Sequence, residues 1–179
     1  MKIRNGFVSN SSSSSFVIGV PAGTPLMLEE FHKAIYGTTT PKSFGPEYAS
    51  TRAVESYEVV QDILEQIADA ANTVREDWQD KTGKLTPEDL INEVDSTISY
   101  QEMDSFRKDP TDHRSEMDWD AYNAADLIGR TEEAAKLAKQ FEGMDIYSVT
   151  YSDNDGSFGC EVEHGDALRQ PNIVRFSHH

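Results

Sequence analysis

The sequence predicts an α+β fold: a small, mostly antiparallel sheet, built from an N-terminal strand and a C-terminal β-meander, covered by four to five helices. Three observations predict it. Residues 16–20 (FVIGV) form a short, partly β-branched apolar run that stops at Pro21, the pattern of a buried strand. Val60, Ile63, Leu64, Ile67, Ala71, Val74 and Trp78 recur at helical spacing across about five turns. Residues 145–152 and 157–164 alternate and are rich in β-formers on either side of Asp153-Asn154-Asp155-Gly156, a strong turn.

The elements follow in chain order. Thr24-Pro25 predicts a helix start, with Thr24 as N-cap and Pro25 in the first helical position, and Gly37 ends it. Leu28, Phe31 and Ile35 share its apolar face, and His32 reads as a boundary residue beside that face. Residues 37–50 are loop, broken by glycine and proline. The long apolar period predicts a helix over 52–80. Thr86-Pro87 predicts another, with Leu85 and Leu90 spaced as a hydrophobic staple. The acidic stretch 101–118 reads as loop. Short helices follow at 119–128 and 132–142, the second capped by Thr131 and closed by Gly143. A hairpin of 145–152 with 157–164, and a last strand over 173–177, complete the chain. The domain organisation is one unit: a serine-rich segment and strand over 1–22, helices over 23–143, and the meander over 144–179.

Composition narrows the function classes. The chain has 179 residues, enough for a real core, since about 150 residues bury roughly 70% of their unfolded surface. Lys and Arg total 16 against 32 for Asp and Glu, a formal charge of −16. Such a surface disfavours direct contact with nucleic acid or anionic lipid, which needs cations to displace counterions, and it attracts basic partners. A single cysteine, Cys160, fits a reducing compartment. The N-terminus lacks a secretory apolar core, and no apolar run approaches membrane-spanning length, so the expectation is a soluble intracellular protein.

Candidate chemistry is sparse. A calcium loop centred on Gly83 fails, because Trp78 stands at its first ligand position and Asp89 at its last. Asp104, Asp109, Asp112, His113, Glu116, Asp118 and Asp120 are dense enough to hold a hard divalent ion, and equally suit a solvated acidic face. The C-terminal region carries Asp153, Asp155, Glu161, Glu163, His164, His178 and His179. On strands, Glu161 and Glu163 share one face while Cys160, Val162 and His164 share the other. Glu163, His164 and His178 are the candidate ligands of a divalent metal in an enzyme reading; no other cofactor is expected. Cys160, beside Glu161, is poorly placed as a nucleophile. No phosphate-binding glycine loop, Cys-x-x-Cys, His-Glu-x-x-His or Gly-x-Ser-x-Gly is present.

The most specific stretch is KIRNGFVSN at residues 2–10, followed by five serines and Phe16. It resembles the N-terminal signature of small proteins of unknown function from tailed bacteriophages and some prokaryotes. The resemblance covers about the first eighteen residues, and the ending (DNDGSFG, EVEHG and a final His pair) is similar to the ends of some members. It implies a phage-type accessory protein in an infected host's cytoplasm or in a virion, and it carries over no catalytic residue. The serine run reads as a flexible spacer, as a fixed loop offering hydroxyls and N–H groups, as a phosphorylation target, or as a signal read by a viral partner. Phe7, Val8 and Phe16 frame it with apolar anchors. Asn10, Ser11, Ser12, Ser13, Ser14 and Ser15 are therefore the candidate ligand- or partner-binding residues. The expected function is non-enzymatic binding of a basic protein, with nucleic-acid mimicry as one form of it. A virion or homo-oligomeric assembly and the metal-dependent enzyme are the alternatives.

Overall fold

The apolar run at 16–20 lies at the centre of a sheet because its residues have apolar neighbours on both sides. The computed structural model describes residues 13–46, 52–72, 83–152 and 156–178. β1 (Ser13–Pro21) is followed by α1 (Leu28–Tyr36), a two-rung ribbon of β2 (Ser43–Phe44) and β3 (Val54–Glu55), then α2 (Ser56–Asn72). β4 (Gly83–Leu85), α3 (Leu90–Glu93), α4 (Tyr100–Met103) and a 3-10 turn (Asp104–Phe106) lead to α5 (Trp119–Gln140). β5 (Met144–Ser152), α6 (Gly156–His164) and β6 (Ile173–His178) close the fold. The main sheet has the order β4-β5-β1-β6, with every neighbouring pair antiparallel. The class is α+β, with the N-terminal strand between two C-terminal ones.

Phe16, Ile18 and Val20 pack with Phe31, Val60, Ile63 and Val162, from α1, α2 and α6. Val17, one residue out of phase, packs with Leu90, Leu137 and Phe141, from α3, α5 and the residue that follows it. Alternation across a strand feeds two apolar layers, which is why the run has no polar break. Gly19 is the exception, and it is required. A Cβ there would lie 2.4 Å from the Phe141 ring, so only glycine lets that ring lie against the strand.

The predicted hairpin is corrected. Residues 157–164 form most of α6 rather than a strand. Phe158, Cys160 and Val162 satisfy a period of two, but Phe158 and Val162 are also one helical turn apart, and both pack into the α1–α2 layer. The strand-based division of faces falls with it: Glu161, Val162 and Glu163 are consecutive and all buried. Because β5 and β6 both run antiparallel to β1, they are parallel to each other, and α6 is their crossover.

Other boundaries also move. The N–H and Oγ1 of Thr24 both bond to the Pro21 carbonyl, at 3.0 and 2.6 Å, making a turn; α1 begins later, at Leu28. Gly37 ends α1 as expected, its N–H reaching the Lys33 carbonyl at 2.9 Å. The helix expected over 52–80 begins at Ser56, and its continuation beyond Asn72 lies outside the described residues. Gly83 opens β4, and Thr86 closes a turn by donating twice to the Asp89 carboxylate, both at 2.9 Å. Part of the acidic stretch is helical, because Glu102 accepts from both the N–H and the hydroxyl of Ser99, at 2.9 and 2.6 Å.

The two helices expected after Asp118 are one helix of 22 residues. Thr131 does not cap; its hydroxyl bonds to the Leu127 carbonyl at 2.6 Å, inside the helix. Gly129 is there for proximity, since a Cβ would fall 1.9 Å from Thr97 Oγ1. No helix among the described residues is long and apolar enough to cross a membrane.

His32 is fully buried, not a boundary residue. Its Nδ1 lies 2.7 Å from the Thr38 carbonyl and its Nε2 2.7 Å from Ser56 Oγ, which also accepts the Lys42 N–H at 2.8 Å. The carbonyl can only accept, so Nδ1 carries the proton and Nε2 accepts from the Ser56 hydroxyl. Burial holds the imidazole below its ordinary value of 6.5; the Thr38 carbonyl opposes that shift and Lys42 adds to it.

Candidate functional site

The serine run and the C-terminal carboxylates meet. Ser13, Ser14 and Ser15 are the first three residues of β1, and Ser14 and Ser15 are buried, so these three are strand rather than tether. Ser14 stands opposite Tyr151 on one side and Ser177 on the other. Its hydroxyl donates to Glu163 Oε1 at 3.0 Å and accepts from Arg175 Nε at 3.0 Å. Arg175 also reaches Glu163 Oε1 at 3.7 Å and lies over the Phe16 ring at 5.9 Å. His164 Nε2 lies 3.5 Å from Glu163 Oε2. β1, α6 and β6 thus converge on one buried carboxylate.

This geometry makes Ser14 a bridge between opposite charges. A nucleophilic serine needs its proton on a base and its oxygen open to substrate. Here the proton goes to a carboxylate, a guanidinium occupies the oxygen, and the side chain is inaccessible. The cluster fastens α6 and β6 to the sheet.

Asn10, Ser11, Ser12, Asp153, Asp155 and His179 lie outside the described residues. His178 pairs through its backbone with Ser13, one register position from Ser14. Glu163 and His164 are neighbouring donor groups; among the described residues no three His, Cys, Asp or Glu side chains are grouped to hold a metal ion. Cys160 is half-buried on α6.

The carboxylates of the acidic stretch are tied into local structure. Asp104 bonds to Arg107 Nε at 2.6 Å and His113 Nδ1 at 3.1 Å, and its carboxyl is held below the usual range, chiefly by Arg107. Lys108 meets Glu116 at 2.7 Å and lowers it likewise. Asp109 accepts from the hydroxyl and N–H of Thr111, Asp112 from the N–H of Arg114, and Asp118 from the N–H of Ala121 at the start of α5.

Helix α2 is different. Its buried side carries Val59, Val60, Ile63 and Ile67. On the opposite side, Glu58, Asp62, Glu65 and Asp69 follow one another at spacings of four, three and four residues. At ~100° per residue they fall within a strip about 60° wide, and at ~1.5 Å rise they extend over about 16 Å. No Lys or Arg occurs among the seventeen residues of the helix. Arg52, just before it, forms a double hydrogen bond with Glu58, which lowers that carboxyl. Gln61 donates to Glu65 at 3.0 Å and Gln66 to Asp62 at 2.9 Å. The apolar period in the sequence marks only the buried face of this helix; the opposite strip carries a signal of its own, its regular spacing.

Fold and surface together define an α+β protein in which α2 carries a strip of four carboxylates on the side away from its buried face. No protein-family model matches this chain, and no curated protein or solved structure matches it either.

Proposed function

We propose that this chain is a non-enzymatic, acidic accessory protein that binds a basic protein partner through the outer face of α2. The observation that carries the reading is the strip Glu58, Asp62, Glu65 and Asp69 on a helix with no Lys or Arg among its seventeen described residues. An overall charge of −16 supports it by speeding encounter with cations. Serial carboxylates on a rigid rod also favour nucleic-acid mimicry. One charge per ~5.5 Å of helix is of the same order as one per ~3.4 Å along a single strand. The resemblance of residues 2–16 to phage proteins supports a host or viral protein as the partner, met in the cytoplasm of an infected cell.

The test uses octa-lysine as a cationic probe. The wild-type chain is expected to bind it in a salt-sensitive manner. Combined Glu58→Gln, Asp62→Asn, Glu65→Gln and Asp69→Asn should weaken binding by roughly tenfold or more, equivalent to ~1.4 kcal/mol. Equal affinity for the wild type and a folded variant would remove α2 as the binding face.

A further inference from the structure

A cleft of about 470 Å³ opens beside the carboxylate strip; among the described residues its walls are Asp62, Gln66, Thr150, Tyr151 and Phe158. One wall is polar and fixed. Gln66 is engaged at both ends of its amide: Nε2 donates to Asp62 Oδ2 at 2.9 Å, and Oε1 accepts the Thr150 N–H at 3.1 Å. That clamp orients the Asp62 carboxylate through one oxygen. The other wall is aromatic, with the Tyr151 and Phe158 rings 6.3 Å apart at 74°. Phe158 already accepts a guanidinium from within the chain, for Arg52 Cζ lies 5.8 Å from its ring centre.

An oriented carboxylate and a partly exposed aromatic ring lining one small cleft suit a planar cation. Guanidinium is weakly hydrated, presents several donors in one plane and stacks on aromatic rings, whereas an ammonium is a compact, strongly hydrated point charge. We propose that this cleft takes an arginine side chain of the basic partner, with the guanidinium on Asp62 and the carbon stem along Phe158, whose ring the buried Tyr151 supports edge-on. The inference rests on the α2 binding reading and adds a specificity element: the strip supplies charge, and the cleft selects arginine over lysine.

Octa-arginine and octa-lysine, compared at equal ionic strength, separate the two claims. The wild-type chain should bind octa-arginine several-fold more tightly and show a shift of the Thr150 amide resonance that octa-lysine does not cause. Phe158→Leu, which keeps an apolar side chain but removes the ring, should bring the two affinities together while both peptides still bind. Binding of both peptides with equal affinity and an unmoved Thr150 resonance overturns the cleft and leaves the strip standing. An arginine preference unchanged in folded Phe158→Leu overturns the cleft as well. Failure of both peptides to bind overturns the strip and the cleft together. The Thr150 resonance is read in the wild-type chain, so the test does not depend on the variant folding.

Discussion

Helix α2 places four carboxylates among seventeen residues and no Lys or Arg; residues 99–120 place seven among twenty-two, with Arg107, Lys108 and Arg114 interspersed. By composition the two regions are alike. By structure they differ, because the second spends its acids on its own turns: Asp104 on Arg107 and His113, Glu116 on Lys108, Asp109 on Thr111. The first has no Lys or Arg among its seventeen described residues; Arg52 before it pairs with Glu58, Gln61 and Gln66 bond to Glu65 and Asp62, and a rigid backbone keeps the four in line. Net charge alone therefore does not locate an acidic binding face; the spacing of carboxylates and the placement of nearby cations do.

The largest effect expected is on the anchoring of α2. Ile63 is fully buried between α2 and the sheet, so Ile63→Ala should cost about 2–5 kcal/mol in urea unfolding. Removing the half-buried Phe106 ring, which packs edge-on to Tyr122, should cost roughly 1 kcal/mol. If the two costs proved equal, the acidic stretch would be as firmly built into the core as α2.

Buried and surface acids should also separate. Glu163 lies in the core and holds Ser14, with Arg175 beside it, so Glu163→Gln should destabilise by about 1–3 kcal/mol. Lys108→Ala, which breaks a solvent-exposed pair, should leave the melting temperature unchanged. A silent Glu163→Gln would mean that the cluster does not fasten α6 and β6.

A smaller effect should appear with pH at the junction of α1 and α2. The His32 pKa is lowered by folding, so above 6.5 the neutral imidazole required by Thr38 and Ser56 is present in full. As pH falls from there through the lowered folded value, the unfolded chain binds the proton first and stability drops. Tyr36 and Tyr57 flank the ring and Lys42 lies nearby; among the described residues no carboxylate contributes to its shift. His32→Gln should flatten this part of the stability–pH curve, and a curve that kept its slope would assign the proton to another group.

Much of the fold was legible in the sequence where apolar spacing had one interpretation. Phe16–Val20, the α1 pair Phe31 and Ile35, and the α2 series Val60, Ile63 and Ile67 are all buried as their periods required. Legibility failed where one pattern fits two elements, as at Phe158, Cys160 and Val162. It failed again where a distant neighbour decides: Thr97 explains Gly129, and without that contact 119–128 and 132–142 read as two helices with Thr131 as the cap of the second. The Ser14 cluster joins residues 149 and 161 positions apart, a distance at which local sequence holds no signal. The α2 strip is fully present in the sequence, as a regular carboxylate spacing on the polar side of the helix.

The most direct measurement sets the two acidic regions against each other. Octa-lysine affinity is compared between the α2 variant with four neutralised carboxylates and a variant carrying Asp109→Asn, Asp112→Asn and Glu116→Gln. The α2 variant is expected to bind at least roughly tenfold more weakly than wild type, and the other to stay within about twofold. Equal losses, or a larger loss from the second variant, would contradict the assignment of the binding face to α2.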